Sequence, residues 1–138
     1  MLKKKSLEKI HSKTDSIIQA RRYLHNAKET LAKSAIEYER YTDTKYVKEA
    51  AGIAYLAPLM AIDGYLIGKG FDHEKLPHSI EGYFVAIQQH IPLNGKLKAK
   101  LSSLYENLHL FAYYRGGVDV GLVKLGLKYA KEIIYMLD

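Results

Sequence analysis

From Leu101 to Leu137 the apolar residues of this chain recur at steps of three and four, and one Gly116-Gly117 pair interrupts the run. That spacing is the repeat of a single buried helical face, so the segment reads as two amphipathic helices joined at the glycines. Leu101, Leu104, Leu108 and Phe111 form the first stripe, and the next residue in line is Arg115. A guanidinium is almost never buried alone. Arg115 therefore needs a partner, a ligand or an exit to solvent.

The helical period runs through the rest of the chain. Ile17, Ala20, Leu24, Ala27 and Leu31 share one face of a first helix expected over Thr14 to Tyr38, with Thr14 or Asp15 as its cap. Asp43 is placed to cap a second helix that reaches Lys69 and stops at Gly70. Its expected core stripe is Ile53, Leu56, Met60, Asp63 and Ile67, again with one charge in an apolar line. Pro58 is expected to kink it, and Gly64 and Gly68 to let another helix come close. A third helix opens at Pro77 or Ser79 with Ile80, Phe84, Ile87 and Ile91 inward and ends at Pro92. Asn94 caps a fourth, which runs to Tyr114. Asp119 caps a fifth, with Val123, Leu127, Ala130, Ile134 and Leu137 buried and Lys124, Lys128 and Lys131 in a basic line on the other side. No alternating pattern marks a strand. The fold class is all-α, an antiparallel bundle of about five helices.

At 138 residues, with 48% hydrophobic residues, one domain with a substantial core is expected. The net charge of +6 is concentrated: the first thirteen residues hold five lysines and one glutamate, which reads as a solvated basic tail over 1–13 before a helical domain over 14–138. The absence of cysteine excludes disulfides and thiolate zinc sites. Lysines without an apolar run behind them do not form a secretory signal, and Pro58 and Asp63 interrupt the most apolar region, Ala50 to Gly68. The expectation is a cytoplasmic protein without a membrane span.

The order of helices and polar landmarks, with AIDGYLIGKG, PHSIEGY, YYRGG and LGLKYAKEII in succession, resembles the HEPN superfamily of higher eukaryotes and prokaryotes nucleotide-binding domains, from about Asp15 to Leu137. The resemblance implies a HEPN-like bundle that dimerises, and a ribonuclease or a partner of a nucleotidyltransferase. The nucleases of that superfamily carry an arginine followed after four to six residues by a histidine. Arg115 matches the arginine, but Val120, Gly121 and Leu122 stand where the histidine would fall. Without that histidine the obvious general acid or base is gone. The resemblance thus implies a non-catalytic module binding a nucleotide, RNA or a protein partner; the alternatives are an atypical ribonuclease using Arg115, or a structural homodimer with no ligand.

Other patterns carry less. Glu106 with His109, and Glu8 with His11, have a spacing found in di-metal bundles, but Glu49 and Glu81 are off the inward stripes, so no metal or other cofactor is expected. His73 and His78 lie in a loop, and His25 beside Arg21 and Arg22 reads as a solvated face. Twelve tyrosines without a tryptophan suggest helix-end packing, a dimer interface or a platform for bases. The sharpest expectation joins Asp63 to Arg115 as a buried ion pair on parallel neighbouring helices. With Tyr113 and Tyr114 beside them, those residues make up the candidate ligand site.

Overall fold

The computed structural model describes residues 12–138; the basic segment 1–11, and with it the Glu8–His11 pair, lies outside the described residues. Five helices follow in order: α1 (Lys13–Leu31), α2 (Thr44–Gly68), α3 (Ile80–His90), α4 (Gly95–Leu104), which continues as a π-helical segment (Tyr105–Tyr114), and α5 (Val120–Leu137). The chain is all-α in class, apart from two short strands, β1 (Ile36–Glu37) and β2 (Arg40–Tyr41).

Ser12, rather than Thr14 or Asp15, caps α1: its backbone is extended, and its Oγ accepts the Asp15 N–H at 3.2 Å. The helix ends at Leu31, not Tyr38, because no buried position follows on its face until Ser34, and that side chain is committed to the loop. Ser34 Oγ accepts the Asp43 N–H at 3.0 Å and donates to the Ala35 carbonyl at 2.9 Å. The chain then reverses through Tyr38 and Glu39, both left-handed at φ 51° and 61°, as a two-residue hairpin turn requires. The free edge of β2 is taken by the segment before α5: Tyr41 N–H donates to Val118 at 2.9 Å and Val120 N–H to Glu39 at 3.0 Å. Residues 36–37, read as the end of the first helix, are thus held extended by β2, which is itself bonded to a segment distant in sequence.

The core face of α2 is also not the expected one. Val47, Ala50, Ala51, Ala54, Ala57, Ala61 and Ile62 are buried, whereas Leu56 is 48% exposed and Ile53, Met60, Asp63 and Ile67 are only partly covered. Small residues occupy the inside because neighbouring backbones come close. A Cβ on Gly64 would lie 2.5 Å from Ser16 Cβ, and one on Gly68 would meet Lys13 at 3.5 Å. With Ser16 near the end of α2 and Gly116 against Thr44 and Lys48 near its start, α2 runs antiparallel to both α1 and α4. By length and composition α2 matches a membrane span, with a mean hydropathy of 1.5 over its most apolar window, but 56% of that window is buried among the other helices.

Caps at the later helices follow the sequence more closely. Ser79 accepts the Gly82 N–H at 3.1 Å and Asp119 the Leu122 N–H at 2.9 Å. Asn94 instead reaches backwards, donating to the Ile91 carbonyl at 2.9 Å and so closing the end of α3. Leu101, Leu104 and Leu108 are buried as expected, Leu97 one turn before them is buried too, and Leu108 packs into the space left by Gly126 of α5.

The two glycines of α2 make a paired test. Gly64→Ala should lower unfolding stability by roughly 1–3 kcal/mol, since a near-backbone atom of Ser16 has to move. Gly68→Ala meets only ordinary contacts and should be neutral or slightly stabilising. Urea denaturation of both variants measures the difference.

Candidate functional site

The π-helical segment sets the geometry of the candidate site. Arg115 N–H donates to the Leu110 carbonyl at 3.0 Å, five residues back, and the wider turn moves each buried row from steps of three and four to steps of four. The stripe therefore runs Leu104, Leu108, Ala112, all buried, while Phe111 is half-buried. Arg115 drops off it and stands exposed at the helix end.

The expected Asp63–Arg115 pair does not form. Helices α2 and α4 are antiparallel, so Arg115 lies near Thr44 and Lys48, and the fifteen residues from Lys48 to Asp63 span about 22 Å. Asp63 is instead bound by α3: the Tyr83 hydroxyl donates to its Oδ1 at 2.9 Å. Burial raises the Asp63 pKa to about 6, and the Tyr83 bond and the charge of His73 only partly oppose this. Burial, with the adjacent Asp63 carboxylate, also pushes the Tyr83 hydroxyl up.

The same step of four aligns Tyr105, His109 and Tyr113 on one side of the segment. His109 stacks on Tyr55 of α2 at 4.7 Å between ring centroids, on Tyr105 at 5.3 Å and, more distantly, on Tyr113 at 5.9 Å. Tyr113 lies over Gly52, where a Cβ would come within 3.2 Å of its ring. Beside this stack a cleft of about 550 Å³ opens between α2 and α4, lined by Lys48, Glu49, Leu56 and Tyr113 among others. Tyr114, which follows Tyr113 in the chain, is 73% exposed.

Of the four candidate residues, the fold thus gathers Tyr113, Tyr114 and Arg115 at one end of α4 and leaves Asp63 at the far end of α2. Sequence reasoning missed Tyr55 and the stacking role of His109, whose only signal was the step of four from Tyr105 to Tyr113. Tyr55 is pushed up to about 12 by burial, Tyr105 and Glu81, so its hydroxyl is a hydrogen-bond donor and not a base at neutral pH. Among the described residues no three His, Asp or Glu side chains gather as a metal site. His25 is paired with Glu29 at 2.9 Å, and Arg21 with Asp138.

Residues 15–138 match the family described as domain of unknown function DUF5618, and the chain belongs to that family. It is similar to a protein of unknown function from Dyadobacter fermentans, at 35% identity and a TM-score of 0.77, over 91% of this chain and 95% of that one. No curated protein matches it.

Asp63 provides the test of the site's electrostatics. A carboxyl whose pKa is higher folded than unfolded stabilises the fold in its protonated form; that contribution is complete below about pH 4 and is lost as pH rises through about 6. Asp63→Asn keeps an acceptor for Tyr83 without the charge. It should stabilise the protein by roughly 1–3 kcal/mol at pH 7 and by almost nothing at pH 4, as read by urea unfolding at the two pH values.

Proposed function

We propose that this member of the DUF5618 family is a non-catalytic binding module that pairs with a second copy of itself through the outer face of α2 and the π-helical half of α4. The observation that carries the reading is the inverted burial of α2. Alanines face the core, while Leu56 and Tyr113 are each 48% exposed and Ile53 and Met60 are only partly covered beside them. Such an apolar, tyrosine-bearing face has the composition of an interface. Lys48 and Glu49 on the same face have opposite charges, so a two-fold axis can set the lysine of one copy near the glutamate of the other. The HEPN-like order of the helices supports the reading, since small bundles of that kind pair.

Two features support binding over cleavage. Arg115 lacks the histidine found after it in HEPN nucleases, and His109 is engaged in the aromatic stack. A nucleotide or RNA strand stacking on Tyr113 and Tyr114, or a nucleotidyltransferase-type partner on the same face, is the second reading; the exposed Tyr114 beside Arg115 favours it.

Light scattering should find a dimer at micromolar concentration, with Leu56→Glu monomeric and equally helical by circular dichroism. A specific pair should bury more than about 1,000 Å². Wild-type monomer at high micromolar concentration refutes the pairing. The protein should also leave single-stranded RNA intact with or without divalent metal; cleavage abolished by Arg115→Ala would establish the ribonuclease alternative instead.

A further inference from the structure

On a different flank, α1 packs chiefly along α2 and only lightly on α5, which leaves a groove between α1 and α5. One end of it, beside the β1–β2 hairpin, forms a cleft of about 580 Å³. Its rim carries Lys28, Lys124, Lys128 and Lys131, and no carboxylate is among its lining residues. Among the described residues none of these four makes an ion pair, although Lys128 helps hold the Glu132 carboxyl low. The floor is apolar, from Leu31 and Leu127, and Ile36 stands 49% exposed at the edge. Tyr41 also lines the cleft. It is only 5% exposed, and its hydroxyl is buried without a hydrogen-bond partner.

These features have no use for one another inside the free protein. Four like charges on one rim repel. A bound anion relieves that repulsion. The apolar floor adds a second requirement that a bare inorganic ion leaves unmet, and the volume lies within the range of small-molecule sites.

We propose that the cleft between α1, α5 and the hairpin binds a small soluble organic anion: a carboxylate or phosphate held by the lysines, with an apolar body lying on Leu31, Leu127 and Ile36. Tyr41 closes the end of the cleft, with its hydroxyl shielded from solvent. A nucleic-acid strand fits less well, because phosphates alone do not call for the apolar floor. The site is independent of the pairing proposed for α2 and α4.

The test is a fluorescence titration with 8-anilino-1-naphthalenesulfonate, followed by displacement. One saturable site is expected, displaced by decanoate or decyl phosphate but not by decanol or by inorganic phosphate at equal concentration. The relative strength of the two amphiphiles identifies the preferred head group. The double variant Lys124→Gln, Lys128→Gln should bind at least tenfold more weakly. Leu56→Glu should bind as wild type, which separates this site from the α2–α4 face. Equal displacement by inorganic phosphate or by a single-stranded oligonucleotide would reduce the site to a nonspecific basic patch and overturn the proposal. Unchanged binding in the lysine double variant would overturn it as well, as would loss of the probe in Leu56→Glu.

Discussion

The small-residue face of α2 is the constraint on which the bundle depends. Ala50, Ala51, Ala54, Ala57 and Ala61 place almost no volume between this helix and its neighbours, and Gly64 brings it to within contact of Ser16 on α1. Each alanine buries little area. What the face provides is close backbone approach, and with it many dispersion contacts along α1, α4 and α5. A methyl group added at Gly64 has nowhere to go, so the spacing is set sterically. The consequence appears on the other side of the helix. With the inside reserved for small residues, Ile53, Leu56 and Met60 have to face outwards, and the helix at the centre of the core also carries apolar surface.

The π-helical end of α4 has a comparable double effect. One widened hydrogen-bonding pattern keeps Leu108 and Ala112 in register with the core and moves Arg115 into solvent, so no buried charge has to be compensated. It also aligns Tyr105, His109 and Tyr113, which gives the outer face of the α2–α4 pair a layer of stacked rings. The opposite chemistry collects between α1 and α5, where lysines from three successive turns of α5 meet Lys28. An aromatic, apolar flank and a cationic flank thus stand on one bundle. The hairpin joins them: β2 pairs with residues 118–120 on the way into α5, and its Tyr41 closes the end of the lysine cleft.

Much of this was legible in the amino-acid sequence for a local reason. Helix number, the caps at Ser79 and Asp119, the stop at Gly70 and the buried leucines of α4 follow from hydrogen bonds and side-chain spacings within a few residues. The basic line Lys124, Lys128, Lys131 was legible in the same way, because residues three and four apart on one helix are neighbours whatever surrounds them. Tyr114 and Arg115 read from the sequence as candidate site residues; the fold leaves both exposed at the end of α4.

Contacts between distant segments decided the rest. Which face of α2 turns inward depended on how closely α1 and α4 approach, and hydrophobicity alone favoured the bulkier, wrong face. The hairpin after α1 is held by backbone pairing between residues 39–41 and residues nearly eighty positions later, which no local pattern announces. The partner of Asp63 depended on the antiparallel course of α4, which carries Arg115 away and leaves the carboxylate to Tyr83. The residues themselves determined that the chain is a helical bundle with one basic helix face. Only the packed structure decided which apolar residues stay outside, where the charges go, and that an unpaired tyrosine hydroxyl lies at the end of a lysine-lined cleft, because each of these follows from distances between segments that the sequence does not hold together.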